Sequence, residues 1–347
     1  MDADDYLGSL LSQYEPYPLI QAEEVRIKTD LAGFLVDKIT RKKFRKGKLH
    51  PNTIKAVTEK VNISLDRKAP IHFVVPFGGY KHFWNPSHPE PDWAELFNFR
   101  FLTEFVSPIV SAYEPGVFLE YISEDLILPR MNNYPPDSLE QYAIAFKKLL
   151  DRYSKNLPKN LKIDYFRVGD KHDKDKIIAA VDKLLPERRN NFEKLSVEGK
   201  ERELKRSHRS IYWQGREDLS KLDEKARLER TIESRLIELA YYSVESRPEF
   251  IGDYFYGDDH ICICFSFGLS HDNSDNDLTL GSTHSSVVDY WIGRGILEKH
   301  GERFIPRIVS KEQYESLKGN LTTYPSNLID MKNFQAIEVY DGVVNFS

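Results

Sequence analysis

The sequence predicts an α/β protein on a mostly parallel sheet with flanking helices and a charged helical subdomain, and three observations carry that prediction. Residues 71–168 alternate in the order strand, helix, strand, helix, strand, and parallel strands require such crossover helices. The first apolar run, Ile71-His72-Phe73-Val74-Val75-Pro76-Phe77, stops at Gly78-Gly79, the pattern of a buried strand with a glycine exit. From Asp173 to about Arg247 the chain is polar and helical, densest in charge over PERRNNFEKLSVEGKERELKRSHR.

The elements follow in order. Residues 1–68 read as an N-terminal helical segment, with one helix over Ala22–Arg41 carrying Val25, Ile27, Leu31, Phe34, Leu35 and Ile39 as its stripe. The basic cluster RKKFRKGK, residues 41–48, reads as a solvated helix end favoured by the dipole, with a phosphate-binding patch as the less common alternative. Residues 69–172 are the first part of an α/β core. After the strand at 71 and a Pro- and His-rich loop, a helix begins at Trp93, with Leu96, Phe99, Leu102, Val106, Val110 and Tyr113 on one face and Pro115-Gly116 as its stop. Val117–Ile122 is a second strand, Tyr142–Tyr153 lies in a second helix, and Ile163–Val168 is a third strand. Residues 173–257 form a charged helical insertion or cap, with Leu228, Ile232, Leu236 and Leu239 as an apolar stripe. Residues 258–347 return to the core with a strand at His260–Phe267, a helix over Ser285–Glu298, and a final strand and helix to about Leu317. One parallel sheet is expected to contain residues 71–76, 117–122, 162–168 and 260–266.

Composition narrows the function. The 347 residues hold 49 Lys and Arg against 54 Asp and Glu, so no basic excess points to nucleic acid. Two cysteines, Cys262 and Cys264, are one residue apart; on a strand they face the same side, read as reduced thiols, and suit neither a disulfide nor a zinc site. The acidic start MDADDYLGSLLSQYEPYPLI lacks a basic leader, and no apolar run reaches the length that spans a bilayer. A cytoplasmic protein is expected, with small-molecule substrates and neither nucleic acid nor membrane as partner. The glycine pair has the spacing of neither a dinucleotide fingerprint nor a Walker loop; no G-x-S-x-G or H-E-x-x-H occurs, and no cofactor or metal is expected.

Candidate site residues gather where strands end, because open α/β sheets bind ligands in the crevice outside those ends. Gly78 and Gly79 let a ligand approach backbone, and Lys81 and His82 follow at once. Asp92 and Glu95 have capping spacing at the start of the Trp93 helix; capping is the ordinary role of such a pair, and Asp92 is a candidate to face the cleft as well. The second strand exits into the acids Glu124 and Asp125, which are otherwise solvated turn residues, and Arg130 follows. Gly281-Ser282-Thr283-His284 precedes the expected last helix, where amides and Arg294 suit an anion, or where the residues simply cap.

The succession PFGGYK, PEPDWAELF, a helix ending in YEPG (Tyr113–Gly116) and a strand ending in Ser-Glu-Asp resembles the isonitrile (isocyanide) synthase family, which includes the yeast spore-wall formyltyrosine enzyme. The likeness covers roughly residues 70–150, and GSTHSS around His284 is faintly similar to a later family stretch. Ser-Glu-Asp stands where the family has Ser-Asp-Gly, no Pro follows His284, and the family's late Pro-Trp-His has no counterpart. The resemblance implies a Rossmann-like core and condensation of an amino-acid amine with ribulose 5-phosphate, with an oxygenase as pathway partner. It implies Lys81, His82, Asp92 and His284 as catalytic candidates, and Gly78, Gly79, Trp93, Asp125, Arg130 and Arg294 as substrate-binding ones. Lys81, Arg130 and Arg294 suit the phosphate; His82, Asp92 and His284 suit proton movement; Phe83, Trp84 and Trp93 suit an aromatic lining. Another α/β transferase or lyase for a phosphorylated metabolite, or a non-catalytic protein-binding module, are the alternatives.

Overall fold

The computed structural model describes residues 2–45, 49–78, 81–213, 219, 221–252, 257–265, 278–279 and 290–344. Its centre is a five-stranded parallel sheet in the order β3-β2-β1-β4-β5, formed by β1 (Ile71–Phe77), β2 (Val117–Ser123), β3 (Leu161–Arg167), β4 (His260–Cys264) and β5 (Leu278–Thr279). The parallel sheet expected from residues 71–76, 117–122, 162–168 and 260–266 is therefore present. Successive strands run outward from β1 to β3, then the chain returns to add β4 on the other side of β1. The strand order reverses between β1 and β4, and a crevice opens at such a switch point.

Both faces of the sheet are covered, which explains why the strands read as nearly continuous apolar runs. Phe73, Val75 and Phe77 of β1, Leu119 and Tyr121 of β2, and Ile261 and Ile263 of β4 join one core cluster. The alternate residues Val74, Ile122 and Cys262 join the other. This is the two-residue period of a strand buried on both sides. Cys262 is buried in this second cluster.

On the first face lie four N-terminal helices, α1 (Ala3–Ser12), α2 (Gln21–Thr29), α3 (Leu31–Ile39) and α4 (Pro51–Asp66), with the long helix α5 (Trp93–Ala112). The single helix expected over Ala22–Arg41 is in fact α2 and α3, broken at Asp30. That residue ends α2, leaves helical geometry, and caps α3 by accepting from the Gly33 amide at 2.9 Å. Helix α5 is buried along nearly its whole length because it packs on β2 and also on β6 (Arg294–His300) and β7 (Arg303–Val309) of a second sheet. That sheet is mixed, with order β7-β6-β9-β8, and adds β8 (Leu321–Pro325) and β9 (Ala336–Asp341).

The helix expected over Ser285–Glu298 is corrected here. Residues 294–298 are strand, paired with β7 and β9, while 285–289 lie outside the described residues. In Arg-Gly-Ile-Leu-Glu the apolar residues pack on strand neighbours and Gly295 meets the backbone of α5. Local spacing alone does not reveal that partner. The strand at 303–309 and the helix Lys311–Leu317 follow as expected.

The second face of the parallel sheet carries α6 (Leu128–Asn132), the short α8 (Val168–Lys171), α9 (Lys174–Glu193), α10 (Val197–Ser210) and α11 (Glu224–Glu245), while α7 (Pro136–Ser154) packs Tyr142, Phe146 and Leu149 into the first-face core beside α5. The charged stretch is thus helical, with α11 packed on α9, α10 and α6. Arg230 fastens α11 to the end of α6. Its guanidinium donates to Asn133 Oδ1 at 2.6 Å, to Met131 O at 3.4 Å and to Arg130 O, where Asn133 turns into the left-handed region at φ 61°. Arg230→Met is expected to cost about 2 kcal/mol in urea unfolding, because it strands helix-end carbonyls that a guanidinium satisfied; an unchanged midpoint would remove Arg230 from this role. Among the described residues no helix is long and apolar enough to cross a membrane.

Candidate functional site

The first strand leads into the site from the residues upward. Gly78 is buried directly after β1, and Gly79 lies outside the described residues. The chain then makes a short 3-10 turn at Lys81–Phe83, which sends Lys81 and His82 to different neighbours. Lys81 is 1% exposed. Its ammonium donates to the Gly293 carbonyl and lies 3.1 Å from Asp92 Oδ1 and 3.4 Å from Glu95 Oε2. A lysine ammonium has three protons, so none is left for a phosphate in this arrangement.

Asp92 and Glu95 form the capping box that their spacing predicts. Asp92 Oδ1 accepts from the Ala94 amide at 2.7 Å, and Glu95 Oε2 accepts from the Asp92 amide at 2.8 Å. Glu95 Oε1 also accepts from the Tyr142 hydroxyl at 2.9 Å. Complete burial pushes the Glu95 carboxyl up to about 8, against the pull of Lys81. The second sheet closes this corner, since the Gly295 amide reaches Asp92 Oδ1 at 3.4 Å. A Cβ on Gly295 would stand 2.4 Å from the Ala94 nitrogen, so glycine is required for backbone to approach the first turn of α5. Lys81, Asp92 and Glu95 are therefore a buried ion cluster that joins β1, α5 and β6.

Trp93 and Arg294 flank the cluster. Trp93 is 2% exposed, donates from Nε1 to Ala336 O at 2.7 Å and packs on Phe334, which is core duty rather than a lining position. Trp84 donates to Ile292 O at 2.7 Å. Arg294 donates to Glu338 at 2.8 Å, and its guanidinium lies 4.9 Å from the Tyr314 ring centre and 5.8 Å from that of Trp84. Burial works against its charge, yet Asp92 and Glu338 more than offset this.

His82 turns toward the second face. Its Nδ1 is 2.8 Å from Ser138 Oγ, and its ring stands edge-on to Tyr212 at 4.4 Å and to Tyr134 at 6.2 Å. Burial lowers its pKa, so the imidazole is neutral at pH 7. A neutral ring fixed at one nitrogen is suited to move a proton with the other.

The end of β2 holds the acids. The Glu124 amide donates to Phe77 O at 2.9 Å, which places Glu124 beside the β1 exit. Asp125 is buried against Arg167 at 2.6 Å; burial pushes its carboxyl up to about 6 although Arg167 opposes this. Glu124 is pushed up to about 7 by burial, while a hydrogen bond with the Glu245 carboxyl works the other way. Glu245 is the last residue of α11, and Tyr241 lies one turn before it. Arg130 instead pairs with Asp182 at 2.6 Å near the surface. His284 lies outside the described residues.

The structure thus brings Lys81, Asp92, Trp93 and Arg294 into one corner and Asp125 to the strand ends, with His82 facing the helices of the second face. Sequence reasoning misses Ser138, Tyr134, Tyr212, Tyr241 and Glu245, because each sits in a helix or connection far along the chain and belongs to no local motif. A shallow surface depression of about 780 Å³, lined by residues such as Tyr14, Glu15 and Pro158, lies near the opposite strand ends and holds none of these groups.

Fold and site together define an α/β protein with a doubly covered parallel sheet, acids at its strand ends and a second mixed sheet. The same fold is found in the PvcA protein from Pseudomonas aeruginosa, a member of the isonitrile synthase family, with a TM-score of 0.56, 97% of this chain and 99% of that chain covered, and 14% sequence identity. No model of a known protein family matches the chain, and no curated protein does.

Proposed function

We propose that this chain is an isonitrile-synthase-like enzyme that condenses an amino-acid amine with a pentulose phosphate such as ribulose 5-phosphate, giving an isonitrile or a related N-formyl product. The observation that carries the reading is the fold shared over nearly the whole chain with PvcA, an isonitrile synthase family protein. The resemblance at PFGGYK, PEPDWAELF and YEPG points the same way, on different grounds. The residue chemistry is compatible. The first step needs the amine to lose a proton, its nitrogen to bond to the ketone carbon, and the ketone oxygen to leave as water. Neutral His82 and the acids at the β2 exit supply groups that exchange protons near neutral pH. Arg294 is the cation at the α5 corner suited to the phosphate, and an oxygenase acting on the product is the pathway partner that the family resemblance implies.

The test is mass spectrometry of the purified chain incubated with ribulose 5-phosphate and each of the common amino acids. One amino acid is expected to yield a product carrying one added carbon on nitrogen, labelled when the sugar carbonyl carbon is labelled. His82→Gln is expected to lower its rate about 100-fold without changing the melting temperature. Absence of any nitrogen-linked product across the panel would remove the reading.

A further inference from the structure

The end of β2 carries a group of residues that the capping corner does not use. Glu124 and Glu245 lie 121 residues apart in sequence, and their carboxyls approach each other within hydrogen-bonding reach. A hydrogen bond between two carboxyls needs a proton on one of them. Glu124 Oε1 is buried without a hydrogen-bond partner among the described residues. The hydroxyl of Tyr241, a residue 2% exposed, is likewise buried and unpartnered among them, in the field of Glu124 and Glu245. Buried polar atoms are rarely left without partners, and two that converge on one carboxyl pair mark a place for a ligand's polar group.

The sign of the local charge decides which group. Asp125, Glu140 and Asp170 add to Glu124 and Glu245, with Arg167 already held by Asp125 and Glu140. A phosphate is repelled there, and a cation is attracted. The cluster does not have the ligand set of a metal site among the described residues. An ammonium group fits: it donates to Glu124 Oε1 and to the Tyr241 oxygen, both of which lack a donor.

We propose that Glu124, Glu245 and Tyr241 form a primary-ammonium site at the strand ends of the parallel sheet, closed on one side by the last turn of α11. The proposal deepens the function proposed above, on which it rests for its role in turnover, by assigning the amino substrate's nitrogen to this cluster. The carboxyl pair then takes one proton from the bound ammonium, leaving a neutral amine whose lone pair is free to attack a carbonyl. Tyr134, in the same apolar cluster as Tyr241, stacks with Tyr212 and suits an aromatic ring on the same ligand.

Calorimetry on the full chain tests this, using tyramine as the amine probe and 4-(2-hydroxyethyl)phenol, in which a hydroxyl replaces the amine, as its control. Tyramine is expected to bind at least about tenfold more tightly than the control, and Glu124→Gln and Glu245→Gln to lose about tenfold for tyramine alone. Tyr241→Phe, which removes one unpartnered hydroxyl and so keeps the fold, is expected to lose a few-fold. Equal binding of both probes, absence of tyramine binding, or unchanged tyramine affinity in Tyr241→Phe and in folded Glu→Gln variants would overturn the site. Tyramine binding that depends on these residues in a chain making no isonitrile would leave the site standing and remove the proposed reaction. An active chain whose Glu124→Gln variant keeps the parental rate and KM would do the reverse.

Discussion

Lys81→Ala is expected to destabilise the chain by about 3–5 kcal/mol, because it removes a cation set between two buried carboxyls. The sequence alone suggests a different outcome, lost activity in an intact fold, since a lysine two residues past a glycine exit reads as a phosphate ligand. In the structure that ammonium instead holds Gly293, Asp92 and Glu95, and through them the contact between α5 and β6. The loss is expected to be larger at pH 8 than at pH 5.5, where the stranded Glu95 carboxyl holds its proton. Lys81→Met combined with Glu95→Gln is expected to recover part of it, since a neutral pair is cheaper to bury than a lone carboxylate. Urea unfolding at the two pH values measures both effects. A Lys81→Ala midpoint matching the parent at pH 8 would show that the cluster contributes nothing net.

Thermal stability is expected to fall as pH rises from about 6.5 to 9, by on the order of 5 °C. Glu95 is pushed up to about 8 and Glu124 to about 7, each chiefly by burial, against an ordinary value of 4.5. A carboxyl with a raised pKa binds its proton more tightly in the folded chain than in the unfolded one. Its stabilising share is therefore complete below pH 4.5 and is lost as pH climbs through the folded value. Asp125, pushed up to about 6 by burial, loses its share below this range, as pH climbs to about 6. His82 and His260 act in the opposite sense at lower pH. Burial depresses both, so the unfolded chain holds their protons better and stability rises with pH up to about 6.5. Glu95→Gln is expected to flatten the limb between pH 7 and 9 while keeping the cap, because glutamine resembles the protonated acid and still accepts from the Asp92 amide. Melting curves at constant ionic strength report this; a parental slope in Glu95→Gln would place the titrating group elsewhere.

These expectations show why some of the site was legible and some was not. The capping box at Asp92 and Glu95 is local, three residues apart, and its geometry follows from the helix it begins. Lys81 is equally prominent in sequence, but whether it faces a ligand or two buried acids depends on β6, more than 200 residues later. The acids after β2 are placed by the strand that precedes them. Their partners Glu245 and Tyr241 come from a helix whose sequence announces only an apolar stripe.

By itself the sequence determined the parallel sheet. Strands buried on both faces must be continuously apolar, crossover helices must separate them, and glycines must end β1, so each requirement leaves a local mark. It also determined the helical character of residues 174–245, since charge and stripe recur at helical spacing. Tertiary structure alone decided the second sheet and the break at Asp30. Residues 294–298 become strand because α5 and strands β7 and β9 lie beside them, and that contact outweighs local spacing. It also decided the charge states at the site. Those depend on how completely α5, α7 and α11 exclude water from Glu95 and Glu124, and a burial assembled from distant segments has no signature in any one of them.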